Sequence, residues 1–416
     1  MIGKRIRYYR KRAGLTLEQL AEGICSISYL SKIENGEKSS EEIIKLLCKR
    51  LGITYEEHIN PQTLSVEAEK KLMELYNYLN EPNLDKVIPL LKYIHQQLEK
   101  GSFPQYQMRY ELLHAKWLIV QDNLIGAESE LKRLSSFYDT MDNYSKYFYH
   151  VFKGCLFFHM SDSKNALVNY QRAEKWLSKL EMKEREKAEL YYEIACTYEQ
   201  YYHMNSCINY TNRALEIYNK EYHLKKISNC HLLLGIANRK SLNFNAAEYH
   251  FKQALKFTEV YDDQEKSSII YYNLGLMHNE QGHTNDGIEL IKKCLHIPST
   301  HENHAYALFE LGKVYLFNNQ LSKAKKAANE GLLFARNHHL DSHILLFQAL
   351  ELKMEEEEAY YAFVHHQVIP YFKKKRRWDI VANFAEDLAD IAYKDRKYKN
   401  ASLYYRTANE ARKNIK

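Results

Sequence analysis

The sequence predicts an all-α protein in two parts, a compact bundle of short helices and then a long array of helical hairpins. Three observations carry that expectation. Glycine and proline are scarce, 14 and 6 in 416 residues, and strand-and-turn architectures need more punctuation than that. The first sixty residues break into short apolar-periodic segments, most of them opened by a capping residue. From about residue 115 onward, small residues recur at a period near 39, the mark of a repeat array.

Composition sets the outer bounds. A chain of 416 residues exceeds one small core, and 45% apolar content supports a packed interior rather than disorder. The 35 tyrosines suit half-buried helix faces, where the ring packs and the hydroxyl stays wet. Net charge is only +6, but Lys4, Arg5, Arg7, Arg10, Lys11 and Arg12 crowd the N-terminus without an acid among them. A phosphate backbone attracts such a patch. The seven cysteines show no CxxC or ligand spacing, so reduced thiols, no metal and no cofactor are expected. No apolar run reaches membrane-spanning length, and the N-terminus has no signal-peptide core. The expected compartment is the cytoplasm.

Within the first sixty residues, a helix is expected over 2–12, with Gly14 ending it. Thr16 with Gln19 three residues later forms a capping box for a second helix carrying Leu17, Leu20 and Ala21. Ser26 caps a third, Ile27 to Glu34, which Asn35-Gly36 stops. Ser40 caps a fourth, and a short helix is expected over Thr54 to His58. Two short helices joined by a tight turn make a helix-turn-helix. The strings Leu15-Thr16-Leu17-Glu18-Gln19-Leu20-Ala21 and Ser28-Tyr29-Leu30-Ser31-Lys32-Ile33-Glu34-Asn35-Gly36 resemble the phage-repressor or XRE family.

A recognition helix presents its N-terminal residues to base edges in the major groove. With Leu30 and Ile33 inward, Ile27, Ser28, Ser31 and Lys32 face outward. Lys32 can donate to guanine O6/N7, Ser28 can pair with several bases, and Ile27 can touch a thymine methyl. The amides at Thr16 and Leu17 open a helix toward a phosphate. Arg5, Asn35 and Lys38 are expected phosphate contacts. The XRE resemblance implies a buried ion pair between Arg10 and Glu34.

The expected organisation is a DNA-binding domain over 1–60, a linker over 61–66 and a repeat domain over 67–416. In the repeat domain Gly154 leads to Ala166, Tyr170 and Ala173; Gly235 leads to Ala247, Phe251 and Ala254; Gly275 leads to Gly287, Ile291 and Cys294. The leading positions fall at 115, 154, 195, 235, 275 and 312. Small residues are needed where two helices of a hairpin cross closely, and the pattern resembles the tetratricopeptide repeat with longer helices. About nine hairpins are expected, one of them degenerate around Leu350 and Ala362, wound as a right-handed superhelix. Its concave groove would be lined by the first helix of each hairpin. Residues expected to face it are Arg109, Lys116, Tyr192, Glu199, Gln200, Asn229, Arg239, Tyr272, Asn279, Tyr306 and Lys313. An amide such as that of Asn279 both donates to and accepts from a peptide backbone.

The start Lys4-Arg5-Ile6-Arg7-Tyr8-Tyr9-Arg10-Lys11, the run Gly23 to Asn35 and the length of the hairpin array resemble the RRNPP peptide-pheromone receptors of Gram-positive bacteria. The segment Tyr271-Tyr272-Asn273-Leu274-Gly275-Leu276-Met277-His278-Asn279 is similar to one in the Rap branch of that family. The resemblance implies double-stranded operator DNA and a short signalling oligopeptide as partners, a homodimer that becomes a tetramer with peptide, and, in some members, binding of a phosphorelay response regulator. Two other classes stay open: a phosphorelay inhibitor acting by binding, and a phage- or toxin-type repressor that uses its repeats only to dimerise. No P-loop, dinucleotide, nucleophile-elbow or HExxH motif occurs, so no enzyme is expected.

Overall fold

The structure, a computed structural model, describes residues 2–37, 39–53, 55, 61–80, 84–99, 104–177, 179–180 and 184–415. The described residues are helical with connecting turns and contain no strand. The chain forms two compact units, Met1–Glu181 and Met182–Lys416.

The first unit opens with α1 (Ile2–Arg12), α2 (Leu17–Ala21), α3 (Ile27–Glu34) and α4 (Glu41–Arg50). The expected caps are present. Thr16 and Gln19 close a reciprocal capping box, Ser26 accepts from the Tyr29 amide, and Ser40 accepts from that of Ile43. Ile6, Leu20, Ala21, Leu30, Ile33, Leu47 and Cys48 form the core of this bundle. Each large apolar side chain buried there contributes roughly 1.5–3 kcal/mol. Helices α1 and α3 touch backbone to backbone. A Cβ on Gly3 would lie 1.8 Å from the Ile33 carbonyl oxygen, so only glycine fits. The short helix expected over Thr54 to His58 lies outside the described residues, apart from Tyr55.

The same unit continues with three hairpins: α5 (Pro61–Asn80) with α6 (Leu84–Glu99), α7 (Pro104–Val120) with α8 (Leu124–Ser135), and α9 (Asn143–His159) with α10 (Ser163–Leu177). Residues 61–66, expected to be a linker, are the first turns of α5. The bundle docks on the hairpins through α1. Tyr8 is buried against Phe137, ring centroids 5.2 Å apart. Its hydroxyl donates to Glu111 on α7 at 3.3 Å, and Arg133 and Arg12 approach the same buried carboxylate at 3.1 and 3.6 Å. On α1, Tyr9 continues the helical spacing of Ile2 and Ile6 yet is only half-buried. Tyr8 is buried because a second surface covers it.

The second unit holds six hairpins. They are α11 (Glu184–Gln200) with α12 (Met204–Lys220), α13 (Leu224–Lys240) with α14 (Phe244–Tyr261), α15 (Gln264–Glu280) with α16 (Thr284–Leu295), and α17 (His301–Phe317) with α18 (Leu321–Asn337). Then α19 (Asp341–Glu355) pairs with α20 (Glu357–Phe363) and α21 (Ile369–Lys374), and α22 (Trp378–Lys394) with α23 (Tyr398–Ile415). The expected register holds. A Cβ on Gly154 would strike the Tyr170 ring, one on Gly235 the Phe251 ring, and one on Gly275 the Ile291 side chain. Phe251 also packs with Ile270 and Leu274 of the next hairpin, which ties one repeat to another. The degenerate hairpin is real. Its second helix is widened to a π turn over Val364–Val368, just before Pro370, where a missing N–H and the ring's clash with the preceding turn disfavour regular helix.

Candidate functional site

The DNA-facing surface is set by how α3 is held. Leu30 and Ile33 are buried in the bundle, while Ile27, Ser28 and Lys32 are exposed and Ser31 is half-buried. Ile27 is 48% exposed, which leaves its side chain accessible to a base methyl. Lys32 reaches Glu37 only at 4.0 Å, with both side chains largely in solvent, so its ammonium stays available. Arg10 fixes the helix from behind. Its guanidinium grips the Glu34 carboxylate with bonds of 2.6 and 2.9 Å and donates to the Leu15 carbonyl at 2.9 Å.

Much of the basic N-terminus is engaged within the chain. Arg10 is spent on Glu34 and Arg12 lies beside Glu111. Arg5, expected to meet a phosphate, has its Nε and one terminal nitrogen buried without a partner. The capping box occupies the amides of Thr16 and Gln19, and Leu17 packs against the bundle core. Asn35 is exposed at the C-cap of α3. Lys38 lies outside the described residues.

In the first unit, Arg109 is not a free groove residue. It is clamped by Glu69 and by Asp142, the latter at 3.1 Å, and stacks over the Tyr144 ring. The Lys116 ammonium lies 3.1 Å from the Cys155 sulfur. These two side chains join α7 to its neighbours, because a half-buried cation needs local acceptors.

In the second unit, two ion pairs bridge the first helices of successive hairpins. Glu199 of α11 pairs with Lys240 of α13, and Arg239 of α13 pairs with Glu280 of α15. Both pairs span 41 residues. In each, the fourth residue after a small crossing residue (Ala195, Gly235) meets the fifth after the next one (Gly235, Gly275). Glu199 and Arg239, expected to be free charges that select a ligand, are neutralised in this ladder. Lys240 and Glu280 were missed, although opposite charges one repeat plus one residue apart were visible in the sequence.

By the same arithmetic the next rung would join Asn279 to Phe317, which cannot bond. Asn279 leans toward Gly287, and both its amide atoms are buried without a partner. Tyr272 lies seven residues earlier, on the same face of α15. Tyr272, Tyr306 and Lys313 line one depression of about 600 Å³, together with Phe309, Lys353 and Arg377. Arg377 donates to the Tyr306 hydroxyl at 3.0 Å and pairs with Asp379, and Lys353 and Tyr360 both reach Asp387, at 2.6 and 2.9 Å. Burial pushes the phenols of Tyr192 and Tyr272 well above their ordinary pKa, so both stay neutral. Gln200 and Asn229 are half-buried on α11 and α13 and do not line this depression. The structure thus brings Tyr272, Tyr306 and Lys313 together and leaves the other expected positions along the neighbouring helices.

The helix-turn-helix family model matches residues 6–58. The transcriptional activator NprA of Geobacillus stearothermophilus is 29% identical over 407 residues, covering 95% of this chain and 99% of NprA. This similarity over nearly the whole length agrees with the RRNPP resemblance read from the sequence. The regulatory protein RapD of Bacillus subtilis (strain 168) is 24% identical over 360 residues, 82% of this chain and 99% of its own length. The fold is that of the quorum sensor NprR from B. thuringiensis. Its apo form superposes with a TM-score of 0.69 at 20% identity, covering 84% of this chain and 99% of that one. NprR in complex with its cognate peptide NprX gives 0.62 at 20% identity, over 82% and 98%. Among the described residues, no helix is long and apolar enough to cross a membrane.

Proposed function

We propose that this chain is a quorum-sensing transcription regulator of the RRNPP type in the cytoplasm, with operator DNA read by α3 and a short signalling peptide bound along the first helices of the second unit. The observation that carries the peptide reading is Asn279. A buried amide with neither donor nor acceptor satisfied costs on the order of 1–3 kcal/mol. A half-turn of its side chain toward an extended peptide would supply both partners. It stands where the ladder of ion pairs breaks, on the helix face that leads to the Tyr272–Tyr306–Lys313 depression. NprA is named a transcriptional activator and NprR has been solved with a peptide, which supports the same reading. Successive hairpins lie about 10 Å apart and an extended chain rises about 3.3 Å per residue. Three hairpins then grip a peptide of roughly five to ten residues. Glu199 and Arg239 are neutralised, and Lys313 and Lys353 are paired with Glu310 and Asp387, so a peptide carboxylate would have to compete with those acids for either lysine.

The peptide test is calorimetry of the full chain with synthetic host-derived peptides of five to ten residues. Wild type should bind, and Asn279→Ala should lose about 10-fold, the value of one or two backbone hydrogen bonds. Equal affinity in both would remove Asn279 from the site. Absence of binding by wild type to any host-derived short peptide would sink the receptor reading.

The DNA half of the proposal predicts a homodimer on a pseudo-palindrome, with half-sites about one helical turn apart or a multiple. Lys32→Ala should cost about 1–3 kcal/mol on the operator and relax base preference at one position per half-site. An unchanged footprint for Lys32→Ala would show that α3 does not read the site.

A further inference from the structure

Helix α1 has two faces, and each grips a different body. One face carries Gly3, Ile6 and Arg10, all turned toward α3. Gly3 lies against the Ile33 carbonyl, Ile6 packs with Leu30 and Ile33 in the bundle core, and Arg10 holds Glu34. The other face carries Tyr8 and Arg12, one helical turn apart, and both go to Glu111 of α7. Glu111 is 4% exposed. Its carboxylate has four polar neighbours: Gln107 at 3.0 Å, Arg133 at 3.1 Å, Tyr8 at 3.3 Å and Arg12 at 3.6 Å. A buried carboxylate needs such partners. Two of the four come from α1, so the set is complete only while the bundle is docked. Burial first, and Glu111 next, push the Tyr8 phenol far above its ordinary pKa, so its O–H stays in place to donate. Phe137, itself buried, packs against the Tyr8 ring. Among the described residues Tyr8 does not belong to the core of its own bundle. Its ring serves docking rather than the folding of the helix-turn-helix.

We propose that Glu111, outside the helix-turn-helix, is a positioning residue for DNA reading: through Tyr8 and Arg12 it locks α1, and through α1 the recognition helix α3, in one orientation on the first hairpins. The inference rests on the DNA reading proposed above. Where two chains share one operator, the hairpins then set the separation of the two recognition helices, and with it the half-site spacing that is accepted. A bundle released from Glu111 is held by the covalent chain alone and accepts several spacings.

The test uses the full chain, with Tyr8→Ala and Glu111→Ala approaching the contact from opposite sides. Neither strands a buried charge, since the Arg12 and Arg133 side chains are 38% and 43% exposed. The first measurement is transverse NMR relaxation of the α1–α4 amides. The second is affinity for a duplex selected by the wild type from a random pool, set against the same duplex with about five base pairs, half a helical turn, inserted between its half-sites. Wild type should lose about 10-fold or more on the lengthened duplex. In each variant the bundle amides should relax about 2-fold more slowly or beyond. The spacing penalty should fall to about 3-fold or less, with affinity for a single half-site unchanged. The double variant should match the single ones, because both act on one contact. Tyr8→Phe keeps the ring against Phe137 and should retain most of the discrimination. Wild-type relaxation in both alanine variants would overturn the docking role. Faster tumbling with an undiminished spacing penalty would overturn the positioning role, and so would loss of single half-site binding, which would make the contact part of the bundle's own stability. Failure of the wild type to select any duplex would instead sink the DNA reading, and the positioning role with it.

Discussion

Glu34→Ala should destabilise the helix-turn-helix bundle by about 3–5 kcal/mol, and Arg10→Ala by a similar amount. Both side chains are buried, Arg10 at 8% and Glu34 at 5% exposure. They satisfy each other through two short bonds, and Arg10 also holds the Leu15 carbonyl. Removing one partner leaves the other charge in the interior without compensation, which costs far more than an exposed pair would. Because Glu34 is the last residue of α3, the recognition helix loses its anchor. Hydrogen exchange in the full chain reads this directly. The α3 amides should exchange about 10²–10³-fold faster in either single variant, and operator affinity should fall with them. Replacing both residues by apolar ones of similar size, Arg10→Met with Glu34→Leu, should recover most of the loss, since no buried charge is then left unpaired. Unchanged exchange in both single variants would show that the pair adds nothing to the bundle.

Gly275→Leu should cost the second unit about 3 kcal/mol or more, well beyond the effect of the same change at Gly235. The two glycines occupy equivalent repeat positions but face different neighbours. A Cβ on Gly275 would lie 2.6 Å from Ile291 Cγ1, 3.0 Å from the Gly287 carbonyl oxygen and 3.3 Å from the Ile291 amide. Main chain cannot step aside without moving α16. The three atoms nearest a Cβ on Gly235 all belong to the Phe251 ring, the first at 2.4 Å, and a ring can tilt. The alanine series makes the contrast sharper. Alanine gains about 1 kcal/mol over glycine in helix propensity, enough to offset a tilted ring at Gly235 and not enough to offset a displaced helix at Gly275. Urea unfolding of Gly235→Ala should therefore be near that of the parent, with Gly275→Ala clearly weaker. The reverse order would mean that α15 and α16 do not cross where the structure puts them.

The sequence by itself determined the all-α class, the helix-turn-helix and the hairpin array. Each of these is a local or periodic property. The caps at Thr16, Ser26 and Ser40 act within three residues, and the glycines meet their partners at a spacing of sixteen, within one hairpin. The inter-helix turns were placed by periodicity and not by glycine. Tyr202 and Leu242 stand in the left-handed region at φ 55° and 60°, bulky residues that carry no turn signal of their own. Legible in part was the candidate ligand surface. Tyr272, Tyr306 and Lys313 fell together in one depression, because positions one repeat apart on first helices stack in space.

Which charges on that surface remain free was decided only in three dimensions. Glu199 and Arg239 have the right position and type for ligand contacts, yet Lys240 and Glu280 consume them. Arg12 looked like part of a DNA patch and instead approaches Glu111, beside Tyr8. The reason is physical. Helix and repeat patterns are fixed by sterics over a few residues and survive translation along the chain. The fate of a charge depends on whichever opposite charge lies within about 4 Å after folding, and that neighbour can stand 41 or about 100 residues away.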